Sequence, residues 1–219
     1  MNQKRMSVLS GLLYLSLVFF GPIALLILPS QFDVVDINLF AKNHIGLLLL
    51  WILVDLIIIG IEIMLSIYLY RLFKTYSIKL STYAFIFRLA VVLVMVVNTT
   101  FLVITLANNG SNADNYIPLH QTGTYIWQLC FSVHVFLLGL IVVKHNPSLW
   151  RYLGMVLLIG SFGYLVDAII ALGNIDNPIL NIMSGMLLIF ITIGEIGTSI
   201  GLLMNKIVMT SLIDRSHEK

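Results

Sequence analysis

Six apolar stretches, each long enough to cross a bilayer, divide this chain at about 6–29, 45–70, 80–107, 124–143, 150–172 and 179–204. A hydrocarbon core needs about 20 apolar residues in a helix. Lipid cannot hydrogen-bond an exposed N–H or C=O, so each stretch has to be helical. The segments between them are too short to fold alone. The longest, 108–123, is rich in Asn, Asp and Gly and reads as a loop long enough for a flap. Composition agrees: only 10% of residues are charged and 59% are hydrophobic, with a mean hydropathy of +1.02. A soluble domain carries about 25% charged residues. The expected fold is all-α: a polytopic bundle of six transmembrane helices forming a single integral membrane domain over 1–219.

Lys4 and Arg5 ahead of an apolar run imitate a secretory signal. That run is about twice a signal's apolar length, and no A-x-A-like cleavage site follows. It is read as a retained first helix, with Pro22 as a kink inside it. Lys4, Arg5, Arg71, Lys74, Lys79, Lys144, Arg151, Lys206, Arg215 and Lys219 fall on one side of the spans. Only Lys42 falls on the other. The positive-inside rule then predicts both termini in the cytoplasm. Tyr70, Tyr76, Tyr83, Trp150 and Tyr152 near the basic ends, and Tyr116, Tyr125 and Trp127 near an opposite end, suit headgroup depth. The net charge of +2 gives no reason to expect nucleic acid. The single cysteine, Cys130, cannot form an intrachain disulfide and reads as a small apolar residue.

Ionisable residues within spans cost at least about 2.5–3.5 kcal/mol each, so they turn inward. Here they are Asp55, Glu62, Arg88, His134, Asp167 and Glu195. At 1.5 Å per residue, Glu62, Arg88, His134 and Glu195 all lie roughly 12–14 Å from the basic edge, although they come from four helices. Asp55 is one heptad from Glu62 and shares its helix face. Asn98, Gln128 and Asp167 form a looser outer layer, with Tyr164 three residues from Asp167 and able to donate to it. Two carboxylates against one guanidinium need a proton on His134 or on one Glu. The simplest arrangement pairs Arg88 with Glu62 or Glu195 and bonds His134 to the other. Such a core either serves a ligand or proton, or only fixes helix register. Glycines at 154, 160 and 163, and at 194, 197 and 201, suit close approach of the last two helices, or dimerisation.

Known chemistries find few supports. A zinc centre needs about three ligands, and His134 is the only histidine inside a predicted span; His44, His120, His145 and His217 fall outside. The same count disfavours bis-histidine haem, no span holds a Lys for a Schiff base, and no phosphate-binding loop occurs. No metal and no cofactor are expected, and catalytic residues are not assigned. An enzyme would have to rely on carboxylate and imidazole acid–base chemistry.

The chain resembles the bacterial domain-of-unknown-function family 4386, small six-helix membrane proteins, over about residues 7–206. The residues that carry the likeness are Leu9-Ser-Gly-Leu-Leu-Tyr14, Arg88 near the start of the third span, His134-Val-Phe-Leu-Leu-Gly139, the run from Leu153 to Leu165, Pro147 before the fifth span, and Ile193-Gly-Glu195. The family's last helix has a Trp after the Glu, whereas this chain reads Gly197-Thr-Ser-Ile. The resemblance implies a multi-pass protein of a bacterial plasma membrane and singles out Arg88, His134 and Glu195. It implies no activity. Two functions remain open alongside an enzyme acting on lipid. One is binding or passage of a small molecule or lipid, proton-linked, through the polar core. The other is a regulatory, immunity or stress role as a membrane-protein partner or homodimer.

Overall fold

The computed structural model of the protein describes residues 2–145 and 150–205. Pro147, Lys206, Arg215, His217 and Lys219 therefore lie outside the described residues. Within them the chain is helical: α1 (Gln3–Pro22), a π-helical turn (Ile23–Ile27), α2 (Leu28–Gln31), α3 (Ile37–Asn43), α4 (Ile45–Phe73), α5 (Ile78–Ala107), α6 (Ala113–His145), α7 (Trp150–Leu172) and α8 (Pro178–Leu203). Six helical runs are long and apolar enough to cross a membrane: Gln3–Gln31, then α4 through α8. The first span is interrupted after Pro22 by the π turn, and Pro29 follows it. Pro29 has no N–H to give the Leu25 carbonyl and its ring crowds that carbonyl, which loosens the ladder within the turn.

The ends of the helices are written in local chemistry. Asn2, Asp36, Ser77 and Asn177 each cap a helix by accepting a backbone N–H; Asn177 takes those of Ile179 and Leu180 at 3.0 and 3.3 Å. Asn109, Gly110 and Asn112 adopt positive φ and turn the chain between α5 and α6. This turn is much shorter than predicted. The segment expected as a loop to residue 123 is helical from Ala113, so α6 begins eleven residues before the predicted span. Its polar composition (Asn115, His120, Gln121, Thr122) hid a helix of which one face, with Ile117, His120 and Gly123, is buried while Asn115 and Thr122 are exposed.

Neighbours in sequence pack side by side, and α1 packs against both α4 and α8, so the six spans close into a ring. Ser7 near the start of α1 donates to Leu202 O near the end of α8 at 2.7 Å. The two ends of the described chain thus lie on the same side of the bundle. Apolar side chains such as Phe19, Leu53, Leu93, Ile182 and Ile189 point outward, while Asp55, Glu62 and Arg88 are buried. That reverses the soluble pattern and suits a lipid surround.

The glycines of the last two spans set their separation. A Cβ on Gly160 would lie 2.6 Å from Ile191 N, and one on Gly163 would lie 2.8 Å from the backbone of Leu187. Gly194 and Gly197 face Leu157 and Leu153 across the same seam. Gly160→Val is expected to cost about 1–3 kcal/mol by forcing α7 from α8. Gly185→Val, where a Cβ meets nothing within 4 Å, is expected to be near neutral. Unfolding of both variants in mixed micelles measures the difference.

Candidate functional site

Arg88 is fully buried and meets three other helices. Its Nε donates to Glu62 Oε2 of α4 at 2.6 Å. Its Nη1 donates to the Tyr14 hydroxyl of α1 at 2.9 Å and meets His134 Nε2 of α6 at 2.7 Å. The guanidinium also stacks over the Tyr14 and Phe131 rings, 5.0 and 5.5 Å from their centroids. His134 Nδ1 lies 2.8 Å from Ala84 O. A carbonyl only accepts, so these partners assign the hydrogen to Nδ1. Nε2 is then a lone pair that receives the Arg88 N–H, and the ring is neutral.

Two parts of the predicted arrangement change. Arg88 takes Glu62, one of the two candidates, but His134 does not bond the other Glu; it bonds Arg88 itself. Glu195 stands apart, half-buried, receiving the Tyr164 hydroxyl at 3.3 Å. Tyr164 therefore does not serve Asp167. Long side chains in a helix lean toward its N-terminus, which carries Tyr164 toward the basic end and Glu195. Asp167 accepts instead from Ser184 of α8 at 3.1 Å. Glu195 remains within electrostatic reach of Arg88 and Glu62. One guanidinium nitrogen, Arg88 Nη2, is buried with no hydrogen-bond partner.

A second polar cluster lies toward the opposite end. Asp55 Oδ2 meets His120 Nε2 at 2.9 Å and accepts from the Thr99 hydroxyl at 3.3 Å. Asn98 Nδ2 donates to His120 O at 3.0 Å. Gly123 makes this approach feasible, because a Cβ there would overlap the Asn98 amide. The Trp51 and His120 rings meet edge to face, with centroids 4.8 Å apart. Gln128 is buried, its Oε1 without a partner.

His120 corrects the sequence reading, which placed it in a loop. The repeat His120, Gly123, Trp127, Phe131, His134, Leu138 runs down one buried face of α6 at steps of three and four. That spacing was the available signal. Tyr14 was missed for another reason: the depth count considered only ionisable residues, although Tyr14 lies eight residues after Met6 and so at the same level.

The match to the family described as Domain of unknown function (DUF4386) covers residues 9–205. The chain belongs to this family. No curated protein and no solved structure matches it. The family's description leaves the polar layer without an assigned role.

Removing one member of a buried ion pair leaves the other uncompensated, at about 3–5 kcal/mol. Glu62→Gln is therefore expected to destabilise the protein by about that much. Glu195→Gln preserves an acceptor for Tyr164 and is expected to stay within about 1 kcal/mol of the parent. Denaturation of the purified variants in mixed micelles compares them.

Proposed function

We propose that this protein binds a small or amphipathic molecule with an anionic group inside the membrane, beside Arg88, and that binding is coupled to a proton on Glu195. The carrying observation is the unpartnered Arg88 Nη2 within a guanidinium whose other nitrogens are fully engaged. Its two N–H groups match a carboxylate or phosphate oxygen. Charge counting supplies the coupling. Arg88 and Glu62 cancel, and His134 is neutral in the arrangement described. An added anion would then sit near a second negative charge on Glu195, so a proton on Glu195 relieves the repulsion. The Lys and Arg distribution supports a reading in which this layer lies in the cytoplasmic half of a bacterial plasma membrane.

The second reading is a regulatory or partner protein whose polar core only fixes helix register. It is favoured by the direct contact of Tyr14, Glu62, Arg88 and His134. Infrared difference spectra of the protein in vesicles, with and without laurate as an anionic probe, separate the two. Under the binding reading, laurate increases a protonated-carboxyl band that Glu195→Gln removes, and Arg88→Lys weakens the response. If laurate leaves the carboxyl region unchanged, the coupled-binding reading fails and the structural one gains.

A further inference from the structure

Helix α4 carries two buried carboxylates on one face, and they are balanced differently. Glu62 faces Arg88, whose charge is permanent. Asp55 faces His120, whose charge depends on a proton. The other Asp55 partner, Thr99, is uncharged. Asp55 lies ten residues inside α4, about 15 Å from its start at 1.5 Å per residue. With a neutral imidazole, the pair carries one uncompensated negative charge at that depth. With one proton added, it carries none.

His120 has the means to take that proton. Its Nε2 is directed at Asp55, and its Nδ1 is buried without a partner. In the neutral ring, Nε2–H donates to the carboxylate and Nδ1 is a bare lone pair. The carboxylate orients the ring, as carboxylates do for imidazoles they accept from. The Trp51 indole N–H beside this ring is also buried without a partner.

Other groups around the ring leave Asp55 as its counter-charge. From α5 come Asn98 and Thr99, both uncharged. On α3, Lys42 is exposed; on α7, Asp167 is held by Ser184 and Tyr164 by Glu195. On α6 itself, Asp114 is at the helix start, followed by Tyr116 and Tyr125.

We infer that Asp55 and His120 form a proton-binding site in the half of the bundle away from the basic end, separate from the Arg88 layer. The site takes up one proton between two side chains of different helices. It stands whether or not Arg88 binds an anion.

Trp51 is a built-in reporter, because a protonated imidazole beside an indole quenches its emission. In a Trp127→Phe, Trp150→Phe background, Trp51 is the remaining tryptophan. Its emission in vesicles is expected to show a sigmoidal loss on acidification. His120→Gln should abolish the transition, and Asp55→Asn should displace it. Histidine 15N spectra of the parent provide a measurement without altering the pair: the signal of a nitrogen with no hydrogen-bond partner should disappear through the same transition. Emission that is flat with pH, or a transition unchanged in His120→Gln, overturns the inference. If that variant fails to fold, 15N spectra with no such change overturn it. Loss of laurate coupling with the Trp51 transition intact would count against the Arg88 reading alone.

Discussion

A guanidinium at the centre of a membrane bundle must bring its counter-charge and its acceptors with it, because lipid supplies neither. Arg88 meets that demand from three other helices, through Glu62 of α4, Tyr14 of α1 and His134 of α6. These contacts join four of the six spans at one level. The register of α1 against α4, and of α5 against α4 and α6, is tied to whether a few polar atoms meet. Apolar packing alone leaves such helices freer to slide, since lipid tails are as apolar as the side chains between them. Glycine then does for α7 and α8 what Arg88 does for the others. Gly160 and Gly163 admit the neighbouring backbone, and close packing takes the place of charge.

The architecture was legible because the bilayer constrains span length and loop charge strongly. The predicted spans beginning at residues 45, 80, 150 and 179 start within two residues of the helices that form them. The error at α6 has a physical source. Hydropathy averages over all sides of a segment, and in the first turns of α6 one face carries His120 against Asn98, Asp55 and Trp51 while Asp114, Asn115 and Thr122 on the other sides are exposed. His120 is acceptable on the buried face because protein partners meet it there. The segment therefore looked like a loop by composition while its buried face kept helical spacing.

The candidate site was readable in depth but not in pairing. Axial rise placed Glu62, Arg88, His134 and Glu195 at one level, and three of them touch. Which carboxylate Arg88 would choose depends on the rotation of each helix about its own axis, and span positions do not report rotation. The direction in which a side chain leans along its helix mattered as well. Tyr164 is near Asp167 in sequence, yet it reaches Glu195. Spacing of three residues shows which side chains share a face, but lean toward the N-terminus decides which of them meet something on the next helix.

The two polar clusters differ in a way that bears on what each can do. An arginine in a low-dielectric core keeps its charge, so the pair with Glu62 is a fixed dipole. A histidine in the same surroundings holds charge only while a proton is present. The first arrangement suits anchoring: it orders helices and leaves N–H donors pointed at a constant location. The second suits exchange. Both lie along one face of α4, seven residues apart. A change in charge at Asp55 and His120 alters the field along the helix that positions Glu62. The chain thus carries a permanent charge pair and a conditional one on the same rigid element, and that shared helix is the physical route by which one could influence the other.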